Sequence, residues 1–240
     1  MIKAEKNKWF NHMFHLYTKH WLLKRSFYRI HIRGCLPTSK EPLLLVANHS
    51  NWWDGLIAFY LSMSVCKHDC YAMMSEDGLI AFPFFKKLGA FSVNPAKPRS
   101  LVQSMTYATD LLHQNKAIWV FPQGEEEHLE KRPLQLHDGT SYLLERVPHA
   151  HLIPITFYYT FLHNQRAELF IDIGRDLTPT MKSFNKKEKT IKLESHLTEQ
   201  LNSQREAIIT ESTEDYQVLL YGQKTVSEWF SAMTTNIRKG

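Results

Sequence analysis

A histidine and an aspartate, His49 and Asp54, stand five positions apart just after an apolar run at residues 43–47. A neutral imidazole can remove the proton of a hydroxyl as it attacks a carbonyl, provided that an acceptor holds the other ring nitrogen. Asp54 could be that acceptor, like the acid of a Ser-His-Asp triad. Ser50 adjoins His49 but lacks a Gly-x-Ser-x-Gly turn. We therefore expect the substrate to supply the attacking hydroxyl.

A buried strand followed by a helix is predicted to position this pair. The run at residues 43–47 is continuously apolar and follows Pro42, which predicts a strand buried on both faces. Asp54 begins an apolar segment long enough for a buried helix. Catalytic groups of open α/β sheets collect at the carboxyl ends of strands, where His49 would lie. The alternative is that Asp54 only caps the helix and that His49 is a structural strand-end residue.

The rest of the chain alternates predicted strands and helices without internal repeats. Strands are predicted over residues 28–32, 71–74, 117–121, 152–158 and 167–173, and helices over residues 100–113 and 139–146. From residue 181 onward the pattern is mostly that of a polar helix. An apolar set in this tail is expected to dock on the core: Tyr216, Val218, Leu219, Leu220, Trp229 and Phe230. This alternation predicts an α/β fold.

The first 27 residues carry one aromatic stripe at three- and four-residue steps: Trp9, Phe10, Met13, Phe14, Tyr17 and Trp21. Lysines and histidines occupy the remaining surface of this predicted helix. Trp and Tyr rings favour the headgroup boundary of a bilayer, and each nearby lysine adds about 1 kcal/mol of attraction to anionic lipid. We therefore expect an interfacial helix. The alternative is that the stripe packs on the domain's own core.

Composition limits the remaining function classes. The chain has 240 residues, 43% of them hydrophobic, and a net charge of +5. This charge agrees with an anionic membrane surface, and we expect no nucleic-acid partner because no recognition motif appears. No stretch approaches the ~18 uninterrupted apolar residues needed to span a bilayer, and the N-terminus does not read as a signal peptide. The odd set Cys35, Cys66 and Cys70 predicts neither a disulfide framework nor a metal site.

Four blocks in a fixed order resemble the motifs of the glycerolipid acyltransferases, the family that contains 1-acylglycerol-3-phosphate acyltransferase. Residues 48–54 resemble the family's Asn-His-x4-Asp signature. Residues 83–93, Phe121-Pro122-Gln123-Gly124 and Ile153-Pro154-Ile155 resemble the second, third and fourth motifs, and Gly139 falls where the family places a glycine. Four ordered blocks are far more specific than one. The resemblance covers roughly residues 28–175 and implies that His49 is a general base oriented by Asp54.

Two departures from the family pattern concern the acceptor. The family usually has an arginine at the position of Asn94, and Glu-Gly-Thr-Arg where this chain has Gln-Gly-Glu-Glu at residues 123–126. In the family these residues are associated with the phosphorylated glycerol. Both changes remove positive charge, and consecutive glutamates would repel a phosphate. Lys97 and Arg99 are candidates to replace the arginine; the alternative is that they form an ordinary solvated helix start.

The resemblance implies a single domain with a mixed, mostly parallel sheet flanked by helices. Together with the residue patterns on either side of it, the resemblance divides the chain into an amphipathic helix (1–27), an acyltransferase core (28–180) and a C-terminal helical extension (181–240) that docks on the core. The predicted substrate-binding residues are Asn48, Lys97, Arg99, Phe121, Pro122, Gln123, Gly124 and Glu125. Backbone amides near Gly124 are candidates to stabilise the oxyanion of the reaction.

The implied activity is transfer of a fatty acyl group from acyl-CoA or acyl carrier protein to a lipid hydroxyl. The family default acceptor is 1-acylglycerol-3-phosphate, in phospholipid biosynthesis. The protein would act peripherally, as a monotopic protein on the cytoplasmic side of the membrane, with no bound cofactor or metal. A non-phosphorylated acceptor such as a glycolipid is the second possibility, followed by a thioester hydrolase and an inactive lipid-surface binding protein. Acyl-chain length, acyl donor and oligomeric state stay open.

Overall fold

The computed structural model describes residues 1–228 and residue 230. The described strands are β1 (Phe27–Arg33), β2 (Leu43–Ala47), β3 (Cys70–Ser75), β4 (Ala90–Val93), β5 (Ala117–Val120), β6 (His151–Thr160), β7 (Ala167–Ile173) and β8 (Gln217–Tyr221). The helices are α1 (Lys8–Tyr17), α2 (Lys24–Ser26), α3 (Trp53–Ser64), α4 (Glu76–Ala81), α5 (Phe85–Leu88), α6 (Pro98–His113), α7 (Gly139–Arg146), α8 (Thr178–Met181) and α9 (Lys186–Ile209), with a π-helical segment, Thr18–Leu23, between α1 and α2.

The strands form one mixed sheet in the order β4-β3-β5-β2-β6-β7-β1-β8. The five strands from β4 to β6 run parallel to one another. Strand β7 is antiparallel to β6, β1 is parallel to β7, and β8 is antiparallel to β1. The predicted mixed, mostly parallel sheet is confirmed. The carboxyl ends of β2, β3, β4, β5 and β6 therefore lie at the same edge, where ligands of such sheets bind.

Strand β2 lies at the centre of the sheet, and all five of its residues are buried. Leu45 belongs to a core cluster that includes Ile57 of α3, whereas Leu44 belongs to a second cluster that includes Leu112 of α6 and Leu197 of α9. Alternate side chains of a strand point to opposite faces, so helices must cover both faces. Each buried side chain of this size contributes roughly 1.5–3 kcal/mol, which explains the uninterrupted apolar run.

The helix at residues 139–146 and the strand at residues 167–173 have the predicted bounds. The C-terminal region contains the expected polar helix, α9, but it also contains a strand that was not expected. Residues 217–221 form β8, which pairs with β1 some 190 residues earlier in the chain. In this tail Tyr216 and Leu220 are buried, while Phe230 is exposed; Trp229 lies outside the described residues.

The first seven residues lie in an extended segment against the second-motif region. The Ile2 amide donates to Ser92 Oγ at 2.7 Å, and the Ser92 amide donates back to the Ile2 carbonyl at 2.9 Å. Asn7 then begins α1, because its side-chain oxygen accepts the Phe10 amide at 2.9 Å. Over the described residues, no helix combines the length and apolar character needed to cross a membrane.

Candidate active site

The turn from β2 into α3 brings His49 and Asp54 together. His49 Nδ1 lies 2.9 Å from Asp54 Oδ2, and the two side chains are 23% and 0% exposed. A carboxylate only accepts hydrogen bonds, so Nδ1 carries the ring hydrogen. This tautomer leaves a lone pair on Nε2, which is the form that can accept a proton from a hydroxyl. The predicted pair thus has the geometry of an oriented base.

Asp54 receives hydrogen bonds on both carboxylate oxygens. Oδ2 also accepts the Ser50 and Asn51 amides at 2.6 and 3.0 Å. Oδ1 accepts the hydroxyl of Tyr159, from the end of β6, at 2.7 Å. Burial, and next the negative charge of Asp54, raise the pKa of Tyr159 well above its ordinary value. Asp54 lies in the first turn of α3, where the helix dipole favours a negative charge.

The third-motif segment, which follows β5, holds the backbone of His49. Gln123 is buried, and its Oε1 accepts the His49 backbone amide at 2.7 Å. Its Nε2 donates to Glu127 Oε2 at 2.9 Å, and the Glu127 amide donates to the His49 carbonyl at 3.0 Å. The Phe121 ring lies 4.7 Å from the imidazole, centroid to centroid. Gln123 therefore fixes the backbone of the histidine.

Gly124 is needed for the sharp turn of this segment. Its φ of +80° lies in the left-handed region that favours glycine, and a Cβ here would lie 2.9 Å from Cδ2 of His137. The Gly124 amide donates to the Phe121 carbonyl at 3.1 Å. The amide that was a candidate oxyanion donor is therefore engaged within its own turn in this structure.

His49 lies on the wall of a large cavity of about 1020 Å³. One part of the wall is apolar, from Leu56 and Phe59 of α3 to Ala72 of β3 and Leu88 of α5. Around Gly124 the wall is polar and includes Glu126, His137 and Thr140. A cavity of this size and composition fits an apolar ligand with a polar end, placed against the imidazole.

The predicted substrate-binding residues fall into two groups. Phe121, Pro122 and Gly124 line the cavity. Asn48 is 2% exposed, and its amide is committed to the backbone of Phe157, with Nδ2 3.1 Å from the Phe157 carbonyl and Oδ1 2.8 Å from its amide. Asn48 therefore ties β2 to β6. Glu125 is exposed, and its neighbour Glu126 is the acid of this segment that lines the cavity.

The candidate replacements for the family arginine lie near the end of β4. Lys97 donates to Glu76 Oε2 at 2.7 Å and is 64% exposed, and Arg99 is exposed in the first turn of α6. Asn94 donates to the same Glu76 oxygen at 2.6 Å. The hydrogen bonds from Lys97 and then from Asn94 lower the pKa of Glu76. Lys97 is thus paired with an acid of its own protein.

The aromatic stripe of the N-terminal helix divides between core and surface. Phe14 packs its ring against Phe59 and Phe84, with centroids 5.4 and 5.5 Å away, and Phe10 stacks on Phe14. The other four side chains are exposed, at 72% for Trp9, 46% for Met13, 49% for Tyr17 and 56% for Trp21. One edge of the stripe therefore anchors the helix, while the other edge faces outward.

Sequence reasoning did not identify Tyr159 or His137 as site residues. Tyr159 reaches Asp54 from a position 105 residues further along the chain, and His137 reaches Gly124 across the turn. The one sequence signal is that each lies beside a segment recognised in the sequence: Tyr159 directly follows the predicted strand at residues 152–158, and His137 lies two residues before Gly139. Among the described residues, no three His, Cys, Asp or Glu side chains form a group that could hold a metal ion.

Comparison with known proteins bears on these same residues. A family model described as Acyltransferase matches residues 28–158. A chloroplastic 1-acyl-sn-glycerol-3-phosphate acyltransferase from Arabidopsis thaliana is 28% identical over 104 residues, which are 41% of this chain and 28% of that relative. The chain therefore matches less than a third of the relative's length. The family model covers more than half of the chain, including His49, Asp54 and the segment that holds them, and the chain belongs to the Acyltransferase family.

Proposed function

We propose that this protein transfers a fatty acyl group from an acyl thioester, carried by coenzyme A or acyl carrier protein, to the hydroxyl of a lipid. The observation that carries the proposal is the His49–Asp54 pair, 2.9 Å apart, on the wall of a largely apolar cavity. The Arabidopsis relative is named for the acceptor 1-acyl-sn-glycerol-3-phosphate, and we take that acceptor as the default for this chain.

In the proposed reaction, His49 Nε2 takes the proton of the acceptor hydroxyl while its oxygen attacks the thioester carbonyl carbon. The carbonyl electron pair moves to oxygen and forms a tetrahedral intermediate. When the carbonyl forms again, the carbon–sulfur bond breaks, and the imidazolium can return its proton to the leaving thiolate. Asp54 accepts the Nδ1 hydrogen bond throughout and stabilises the positive ring. No acyl-enzyme intermediate is needed, because the acceptor itself is the nucleophile.

The wall of the cavity supports a long apolar substrate. The apolar wall between α3 and β3 would hold the fatty acyl chain of the thioester, since burying each CH₂ group contributes about 0.8 kcal/mol. The polar part of the wall, near Glu126 and His137, would face the acceptor headgroup. In the proposed complex the reacting carbonyl would lie near the imidazole, between the two parts of the wall.

A non-phosphorylated acceptor is the second candidate, and the ion pair of Lys97 favours it. The charge of Lys97 is balanced by Glu76, and Asn94 carries no charge with which to bind a phosphate. The polar wall adds the acid Glu126, which repels a phosphate, while the charge of its Lys186 is balanced by Asp138. A glycolipid or another uncharged lipid alcohol would meet no such repulsion.

Association with a membrane surface, on its cytoplasmic side, is part of the same proposal. The exposed Trp9, Met13, Tyr17 and Trp21 support it, because their rings and thioether would enter the headgroup boundary. The net charge of +5 would add attraction to anionic lipid. A lipid acceptor would then reach His49 from the bilayer without crossing water.

Purified protein should be incubated with a labelled acyl thioester and a mixed panel of lysophospholipids and glycolipids, with products identified by mass spectrometry. We expect acylated lipid from the wild type, and a loss of about 10³-fold in His49→Ala, because a general base typically contributes 10²- to 10⁴-fold. His113→Ala is the matched control, since His113 is exposed at the end of α6.

Each outcome of this experiment assigns or removes one candidate. Acylated lysophosphatidic acid as the main product would support the default acceptor, and an acylated uncharged lipid would support the second candidate. Equal release of free acid with and without acceptors would identify a hydrolase. Unchanged product formation and thioester consumption in His49→Ala would rule out the catalytic role of His49.

A further inference from the structure

We propose that Tyr159 is a positioning residue for the general base, acting through the carboxylate of Asp54. The proposal rests on the proposed function, in which His49 removes the acceptor proton. The family model matches residues 28–158, so Tyr159 lies just past the matched region. Its hydroxyl donates to Asp54 Oδ1 at 2.7 Å, while His49 Nδ1 lies 2.9 Å from the other oxygen.

The hydrogen bond from Tyr159 fixes the rotation of the Asp54 carboxylate. The oxygen that faces His49 also accepts the Ser50 and Asn51 amides, which belong to the same turn. The Tyr159 hydroxyl comes from β6 and is the donor to the opposite oxygen. The carboxylate is therefore held from two separate elements, and its plane relative to the imidazole depends on both.

The ring of Tyr159 is itself held by aromatic contacts. Its centroid lies 6.0 Å from that of Phe27, whose ring packs edge-on against Trp53 at 5.2 Å. Trp53 directly precedes Asp54, so these rings join β1, β6 and the start of α3. Burial and then the charge of Asp54 raise the pKa of Tyr159, so the phenol stays protonated and remains a donor at neutral pH.

A positioning role makes two predictions for removal of the hydroxyl. First, the carboxylate gains rotational freedom, so the imidazole is less often oriented for proton removal and kcat falls. Second, Asp54 loses a hydrogen bond that offsets part of its negative charge. The carboxylate then attracts the imidazolium form of His49 more strongly. Protonation of His49 then occurs at higher pH, and the acid limb of the rate profile moves upward.

The other ionisable groups around His49 are unchanged by this substitution. Asp54 of α3 and Tyr159 of β6 are the groups already described. From the segment after β5, Glu127 lies next to Gln123 and is paired with Lys131, and Glu126 lines the cavity. His137 packs against Gly124. A shift of the acid limb that follows removal of one hydroxyl is therefore assignable to Tyr159.

Tyr159→Phe should lower kcat about tenfold, with KM within about twofold, because only the hydroxyl that orients the base is lost. Tyr158→Phe is the matched control. Tyr158 lies on the opposite face of the same strand and donates to Glu130 Oε1 at 2.8 Å, away from the histidine. It should keep the wild-type kcat and pH profile.

Titration of the His49 imidazole by ¹⁵N NMR gives a readout that does not depend on activity. The His49 signal is identified by its loss in His49→Ala, and its midpoint in Tyr159→Phe should lie above that in Tyr158→Phe. A midpoint and kcat equal to those of Tyr158→Phe would overturn the role of Tyr159. If the wild type transfers no acyl group, the proposed function fails, and the midpoint alone still decides whether Tyr159 acts on His49.

Discussion

Asp54 is the most tightly enclosed charge of the candidate site, with an exposed side-chain fraction of 0% and donors on both oxygens. An isolated buried carboxylate would be strongly unfavourable. Here the His49 ring, two backbone amides and the Tyr159 hydroxyl replace the lost water. These donors fix the orientation of the carboxylate. Because Asp54 accepts the Nδ1 hydrogen bond, the lone pair of His49 lies on Nε2.

Asp54→Asn should remove this control while preserving the shape of the side chain. The asparagine amide has one acceptor oxygen and would turn an NH₂ group toward donors, so the tautomer and the orientation of His49 are lost. We expect kcat to fall about 10³-fold and the free energy of unfolding to fall by about 1–3 kcal/mol. Steady-state kinetics and urea denaturation measure the two effects.

Asp110→Asn provides the control for that substitution, because Asp110 is exposed on α6. It should change neither quantity. Wild-type kcat in Asp54→Asn would show that His49 does not depend on an ionised partner.

The pair His49–Asp54 could be predicted from the sequence because both residues lie in one turn. Their spacing, and the apolar run before them, bring the two side chains together at the end of β2. The partners that hold the pair could not. Tyr159 lies in β6 and Gln123 in the turn after β5, both distant in sequence, and no local pattern specifies their hydrogen bonds to Asp54 and to the His49 amide. An ordinary buried tyrosine has the same local pattern as one that reaches a catalytic acid.

Among the elements of the site, the turn after β5 depends most on one backbone conformation. Gly124 has a φ of +80°, and the ring of His137 fills the space where a side chain would begin. The same turn carries Gln123, which accepts the His49 amide. Any distortion of the turn would therefore displace Gln123 and weaken its hydrogen bond to the His49 amide.

Gly124→Ala should destabilise the protein by about 1–2 kcal/mol, because alanine is strained at positive φ and its Cβ meets His137. Gly55→Ala is the contrasting variant, since Gly55 lies in α3 and a Cβ there meets nothing within 4 Å. Gly55 lies in the first turn of α3, where alanine is favoured over glycine by at most the ~1 kcal/mol of a helix interior, so Gly55→Ala should be at least as stable as the wild type. Urea denaturation compares the two; equal stabilities would contradict the strain assigned to Gly124.

Elements with a strong local period could be predicted from the sequence, and elements defined by distant pairing could not. Helix α7 and strand β7 have patterns of their own, which their bounds follow. Strand β8 has three successive apolar residues in a polar tail, and its identity comes from β1 at the other end of the chain. The short β4 is likewise defined by pairing with β3.

At the scale of the whole molecule, exposed apolar side chains follow the strand ends around the candidate site. Trp52 follows β2, Phe82 follows β3 and α4, and Phe161 follows β6, with exposed fractions of 59%, 48% and 72%. The carboxyl ends of these three strands lie at the edge that carries His49. Trp52 and Phe82 also line the cavity, so the proposal of a membrane contact concerns these side chains as well as those of the N-terminal helix.

The membrane proposal is best tested by substitution, because Ile2 and Lys6 contact Ser92 and Asp69, and a deletion of the N-terminus would remove these core contacts. Replacing Trp9, Met13, Tyr17 and Trp21 together by glutamine should lower co-sedimentation with anionic vesicles at least about tenfold, since each exposed side chain would otherwise enter the headgroup boundary.

Ile191→Gln with Ile209→Gln removes apolar side chains of similar exposure from α9, and should leave sedimentation unchanged. Wild-type sedimentation of the fourfold variant, with an unaltered circular dichroism spectrum, would exclude the stripe as the contact. Activity on detergent-dispersed lipid should survive in that variant, because none of the four residues touches His49, and this separates loss of membrane contact from loss of the site.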